Sequence, residues 1–196
     1  LDIPWTAITL GCMQIAPSKE RGDVCSVEEA DRVVKTALEG GIMAFDTAES
    51  YGGGESERRL GRALGSRKND VLIISKITPD AEMKLEAYQS RLEGTLKALG
   101  RDYVDAYLVH WPGMYIDTMA KTRKMCDIMA ALKESGKART VGITNFQAKD
   151  ISLMANAASL FTVNQVPYNL LKRAYEGEHL RQCEKANIGY MACSPS

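Results

Sequence analysis

Four side chains capable of acid–base chemistry fall at or just beyond the ends of three apolar runs. Asp46 lies near the end of the run Ile42–Ala48, and Tyr51 follows five residues later in a glycine-rich turn, Tyr51-Gly52-Gly53-Gly54. Lys76 stands near the end of Val71–Ile77, and His110 follows Tyr103–Val109 and precedes Trp111-Pro112. A carboxyl, a phenol, an amine and an imidazole are the groups of proton transfer and charge pairing. Singly, each has an ordinary explanation: a turn or cap for Asp46, surface packing for Tyr51, a solvated strand end for Lys76, a half-buried polar group for His110. Together they are harder to dismiss, because a lysine buried at the end of an apolar strand needs a carboxylate partner.

The elements that would position these groups alternate along the chain. Ile8–Ile15 is the first strand-like run. Ser26 opens a helix with Glu29 as its capping-box partner, and Val27, Ala30, Val33, Val34, Ala37 and Leu38 form its expected buried stripe up to Gly40-Gly41. After the strand Ile42–Ala48, a shorter helix follows Ser56 and buries Leu60, Ala63 and Leu64. Val71–Ile77 reads as a strand covered on both faces. Asp80 is the expected cap of a helix carrying Leu85, Tyr88, Leu92, Leu96 and Leu99. Beyond the strand Tyr103–Val109, Asp117 is the expected cap of a helix with Met125, Ile128, Met129 and Leu132 on one face. Shorter units complete the series: strand Thr140–Thr144, helix Gln147–Ala157, strand Phe161–Val166, a helix within Arg173–Ala186, and strand Ile188–Cys193.

Seven strands and six helices at a spacing of roughly thirty residues are the mark of a β/α repeat. No linker or low-complexity tract interrupts residues 1–196, which read as one domain. Such a repeat forms either an open doubly wound sheet or a closed barrel. The open sheet often carries G-x-G-x-x-G after its first strand. Gly11-Cys12-Met13-Gln14 lacks that pattern, which favours the barrel, where catalytic groups gather at the C-terminal ends of the strands.

Composition excludes little. The 196 residues include 25 basic and 25 acidic side chains and are 45% apolar, as expected of an ordinary globular domain with no nucleic-acid or membrane partner. The apolar runs are too short for a transmembrane helix. The start, Leu1-Asp2-Ile3-Pro4-Trp5, lacks the features of a signal peptide and has no initiator Met. Five cysteines without a C-x-x-C pair point to free thiols in a reducing, cytoplasmic compartment. No metal site is expected.

Several motifs, in order, resemble the aldo-keto reductase family. They are Phe45-Asp46-Thr47-Ala48-Glu49-Ser50-Tyr51-Gly52 with Leu60-Gly61-Arg62-Ala63-Leu64, then Ile73-Ile74-Ser75-Lys76-Ile77, then Val104-Asp105-Ala106-Tyr107-Leu108-Val109-His110-Trp111-Pro112. Val141-Gly142-Ile143-Thr144-Asn145-Phe146 and Val163-Asn164-Gln165-Val166 with Tyr168-Asn169 complete the set. The resemblance covers essentially the whole chain. It implies a TIM (β/α)8-type barrel and hydride transfer from NADPH to the carbonyl of an aldehyde or ketone. Tyr51 would be the proton donor, its phenol made more acidic by Lys76. Asp46 would hold Lys76 charged and in place, and His110 would orient the substrate oxygen. Thr144, where the family usually has Ser, would bind the nicotinamide carboxamide with Asn145 and Gln165. Trp111 and Met13 would line the substrate pocket.

Two departures accompany the resemblance. Ala192-Cys193-Ser194-Pro195 matches a Tyr-Ser-Pro motif with Cys193 in the position of the tyrosine that stacks on the nicotinamide. The chain also stops before the family's eighth strand and its phosphate-binding loop, so about seven of eight strands are expected and a piece of a longer protein is the simplest reading. The rival function is a regulatory or nucleotide-binding protein on the same scaffold, with little or no turnover.

Overall fold

A computed structural model describes residues 6–18, 22–23, 25–113 and 116–194. Among these, seven strands alternate with six α-helices. The strands are β1 Leu10–Gly11, β2 Ala44–Asp46, β3 Leu72–Ile77, β4 Val104–Val109, β5 Ala138–Thr144, β6 Val163–Pro167 and β7 Gly189–Cys193. The helices are α1 Val27–Glu39, α2 Glu55–Leu64, α3 Leu85–Leu99, α4 Met119–Glu134, α5 Ala148–Met154 and α6 Glu178–Lys185. The strands lie in the sheet in chain order, β1 to β7. All six residues of β3 and of β4 are buried, the pattern of parallel strands covered on both faces. No helix among the described residues is long and apolar enough to cross a membrane.

The chain forms two compact units. One comprises Leu1–Ile77 with Gln89–Ala106, the other Thr78–Tyr88 with Tyr107–Ser196. In the first, β1, β2 and β3 pair in parallel, with Gly11 opposite Asp46 and Asp46 opposite Ile74. The carboxylate of Asp105, early in β4, accepts a hydrogen bond from the Ile73 amide at 2.9 Å and pairs with Arg101 at 3.1 Å. Both side chains are fully buried, so this charge pair stitches β4 to β3 inside the core. In the second unit, β5 pairs with β6 and β6 with β7, all parallel, with Thr144 opposite Gln165 and Pro167 opposite Cys193.

The sequence expectations hold for the order of elements and fail at several boundaries. Ser26 and Glu29 form the expected reciprocal capping box on α1, yet only Ala30, Val34 and Ala37 are buried on that helix, and Val33 is 41% exposed. The first run yields a two-residue strand followed by a 3-10 turn, Met13–Ile15, with Ile8 exposed. Asp80 caps no helix, since α3 begins five residues later at Leu85. Thr118, not Asp117, caps α4 by accepting from the Lys121 amide, and Asp117 pairs with the Lys121 amine instead. Gln147 opens α5 as expected, but Ala155 adopts φ 48° and the α-helix stops at Met154.

Helix α2 approaches the end of α3 closely enough to require glycine at position 61. A Cβ there would lie 2.4 Å from the Leu99 carbonyl oxygen. Neither helix backbone can yield locally, so Gly61→Ala is expected to reduce unfolding free energy by about 2–3 kcal/mol, read from urea denaturation. A loss below about 0.5 kcal/mol would mean that α2 shifts without strain.

Candidate active site

The first unit brings together three of the four acid–base residues. Strand β3 is apolar except for Ser75 and Lys76, and packing leaves the Lys76 side chain with 0% exposure. Its amine lies 2.7 Å from both oxygens of Asp46. It donates a second proton to the Thr47 carbonyl at 2.9 Å and a third to the Tyr51 hydroxyl oxygen at 3.4 Å. The three N–H donors of the ammonium therefore meet three acceptors. Burial works against the charge on Lys76, but the negative charge of Asp46 and its hydrogen bonds to Asp46 and Tyr51 hold its pKa above the ordinary lysine value of 10.5. The ammonium also stands 5.1 Å from the centroid of the Tyr51 ring.

The loop carrying Tyr51 is fixed from several sides. Gly52, Gly53 and Gly54 adopt φ of 61°, 62° and 85° in succession, a left-handed turn that side-chain-bearing residues resist. A Cβ on Gly52 would also meet Ala16 and the Pro17 carbonyl at 3.0 Å. Thr47 donates to the buried Ser56 hydroxyl at 2.8 Å, which donates to the Cys12 carbonyl at 2.7 Å. Ser56 was expected to precede its helix. It lies within α2, whose N-cap is Gly54, because its hydroxyl is engaged with Cys12 rather than with the helix end. Glu49 receives a two-pronged ion pair from Arg91 of α3, one arm of it 2.8 Å long. Sequence reasoning missed this brace, whose members are 42 positions apart, a separation that leaves no local signal.

Two further buried groups border the site. The Cys12 thiol is fully buried, and burial, reinforced by the Asp46 charge, raises its pKa well beyond that of a free thiol. This thiol is inert packing rather than a nucleophile. Glu57 is 2% exposed and accepts from the Ser75 hydroxyl at 2.6 Å. Burial lifts its pKa above the ordinary 4.5, partly offset by the Ser75 bond. The folded state thus holds the Glu57 proton more tightly than the unfolded chain. Stability from this position is present at low pH and falls as pH rises through the folded pKa. Glu57→Gln keeps the acceptor for Ser75 and removes the titration. Its stability relative to the parent should increase as pH rises above the ordinary carboxylate value of 4.5, measured by urea midpoints. A difference independent of pH would show that Glu57 does not titrate there.

The second unit holds the other sequence-predicted residues except Met13. His110 follows β4 directly and is 9% exposed, its ring 4.8 Å from that of Trp111, which is 40% exposed. Asn145 adopts φ 63°, a left-handed conformation that asparagine tolerates, and its amide donates to the His110 carbonyl at 3.3 Å. Its backbone N–H donates to the Gln165 carbonyl at 2.8 Å. Thr144 is 3% exposed, and its hydroxyl has no partner among the described residues. The Gln165 amide has a weak contact to the Met191 sulfur at 3.4 Å. An orphaned buried hydroxyl beside the Asn145 and Gln165 amides suits a ligand that both donates and accepts, as a carboxamide does. Cys193 ends β7 and is partly exposed, and Met13, in the first unit, is 45% exposed. None of the five cysteines forms a disulfide among the described residues.

Comparison with known proteins assigns the chain to a family. The sequence profile of the Aldo/keto reductase family matches residues 7–196, and the chain belongs to that family. It is 33% identical over 152 residues to aldo-keto reductase YhdN of Bacillus subtilis, a match covering 73% of this chain and 44% of that protein. It is 30% identical over 166 residues to methylglyoxal reductase YeaE of Escherichia coli, covering 83% of this chain and 56% of that protein. Among solved structures, an aldo-keto reductase of Klebsiella pneumoniae in complex with NADPH superposes with a TM-score of 0.82 at 26% identity, over 98% of this chain and 64% of the other. The fold is thus the β/α type of the TIM-barrel class, as the sequence implies. The chain spans about half the length of the curated relatives it matches.

Proposed function

We propose that this chain carries the reducing centre of an oxidoreductase that converts an aldehyde or ketone to an alcohol with NADPH. When bound, the nicotinamide supplies the hydride that adds to the carbonyl carbon. Tyr51 gives its proton to the carbonyl oxygen. Lys76, charged and donating to the phenol oxygen, favours the phenolate that remains and so eases the transfer. Asp46 keeps Lys76 ionised and aimed. His110 donates to the same substrate oxygen and orients it. Thr144, Asn145 and Gln165 hold the carboxamide of the nicotinamide, Cys193 lies at its ring, and Trp111 and Met13 form apolar walls for a small carbonyl substrate.

The observation that carries this reading is the buried Lys76 ammonium, shared between the Asp46 carboxylate and the Tyr51 hydroxyl. The NADPH complex of the Klebsiella relative supports the choice of cofactor, and the name of the Escherichia coli relative supports a small carbonyl substrate. The free thiols fit a reducing compartment, and we place the protein in the cytoplasm. The test is titration into NADPH, followed by nicotinamide fluorescence, then cofactor oxidation on adding an electron-poor aromatic aldehyde. Binding with turnover is expected. Cys193, which offers no aromatic face, favours a second reading as a nucleotide-binding regulator, for which binding without turnover is the signature.

A further inference from the structure

The second of the chain's two histidines lies outside all of this chemistry. His179 sits in the first turn of α6 and is only 4% exposed. Its Nδ1 is 3.0 Å from the Tyr175 carbonyl oxygen. Its Nε2 is 2.8 Å from the Phe146 carbonyl oxygen and 3.1 Å from the Asn164 amide nitrogen. The Asn164 amide also donates to Phe146 O at 2.9 Å. Tyr175 and Tyr190 pack edge-on against the imidazole, at 4.8 and 5.8 Å between ring centroids, so the ring has little freedom to turn.

The partners of Nε2 are what matter. Phe146 follows Thr144 and Asn145 directly, and Asn164 immediately precedes Gln165. With its proton on Nδ1, the ring donates to Tyr175 O and accepts from Asn164. With its proton on Nε2, it donates to Phe146 O. Either tautomer ties α6 to a segment that carries a proposed carboxamide contact. Asn164 is fully buried and its Oδ1 has no partner among the described residues, so its amide is held through the Nδ2 contacts to His179 and Phe146 O. If the ring lets go, that amide loses one of its few anchors, and the left-handed turn at Asn145 loses the restraint behind it.

We infer that His179 is a positioning residue for the nicotinamide site: it clamps the segment just after β5 to strand β6 and sets the spacing of Thr144, Asn145 and Gln165. The inference rests on the cofactor reading above. It reaches the cofactor only through Phe146 and Asn164, so its effect is on binding and loop order rather than on proton transfer.

Two substitutions separate the clamp from general packing. His179→Gln places an amide where Nε2 was and can still reach Phe146 O and Asn164. His179→Asn places one where Nδ1 was and keeps only the Tyr175 bond. NADPH affinity is measured by fluorescence titration, and hydrogen exchange is followed at the Asn145 amide, which donates to Gln165 O. The Asn variant should bind NADPH about tenfold more weakly and exchange faster at Asn145, while the Gln variant stays within about threefold of the parent in both. The kcat at saturating cofactor should be unchanged in both variants. Equal affinity and equal exchange in the two variants would overturn the clamp. A parent chain that binds no NADPH while the two variants still split in exchange would leave the clamp standing and remove the cofactor reading. Thermal melting points that fall in both variants without such a split would show a packing role alone and overturn the inference.

Discussion

Tyr51→Phe is expected to lower kcat/KM for aldehyde reduction by about 10²–10⁴-fold, the usual contribution of a positioned general acid, while leaving NADPH affinity within about threefold. The structure separates the chemical effect from a folding effect. The phenol contributes one hydrogen bond to Lys76, and at 3.4 Å it is long. Lys76 keeps Asp46 and the Thr47 carbonyl when that bond goes. The ring itself remains, so its packing and its contact with the ammonium are retained. The loop stays braced by the Thr47–Ser56–Cys12 chain and by Arg91 on Glu49. The variant should therefore melt within a few degrees of the parent. Turnover within about threefold of the parent would remove Tyr51 from the role of proton donor and with it the proposed mechanism.

The second large effect is on stability. Lys76→Met leaves the Asp46 carboxylate at a buried position without its counter-charge, and breaking such a pair from one side costs about 3–5 kcal/mol. Adding Asp46→Asn to Lys76→Met should recover a substantial part of that loss, since the stranded charge goes with it, and should recover no activity. The double-mutant cycle reads the coupling directly. The pH dependence has a definite sign. The Lys76 pKa is raised in the folded state, so the stabilisation it brings is fully present below the ordinary value of 10.5 and is lost as pH rises through the folded value. The deficit of Lys76→Met should be flat across neutral pH and narrow only in alkali. Additive effects of the two substitutions would mean that the pair contributes little despite its geometry.

The pairing of Lys76 with Asp46 was legible in the sequence because strand β3 is apolar enough to force its lysine inside, and a buried ammonium must find a carboxylate. The alternation of strand and helix was legible for the same reason: burial imposes a period. What escaped were choices among competing local partners. Asp80 and Asp117 are ordinary caps by type, but Thr118 takes the α4 position, and α3 starts beyond the reach of Asp80. Ser56 resembles a helix opener, yet its hydroxyl is drawn to a carbonyl 44 positions away. Val33 belongs to an apolar stripe in sequence, yet only the narrower face of Ala30, Val34 and Ala37 is covered. Arg91 with Glu49, and His179 with Phe146 and Asn164, are tertiary contacts without local periodicity. The family's motifs pointed to Thr144, Asn145 and Gln165 as expected carboxamide contacts, but carried no signal for the contacts made around them.

The arrangement around Lys76 also bears on a hazard of aldehyde chemistry. A primary amine near an aldehyde ordinarily condenses with it, through the nitrogen lone pair, to give a Schiff base. The Lys76 nitrogen has no lone pair to offer while it is protonated, and its three protons are directed at Asp46, Thr47 and Tyr51. The contacts that keep this amine cationic therefore also shield it from imine formation with any carbonyl compound brought alongside, a form of self-poisoning to which a less firmly held lysine would be open.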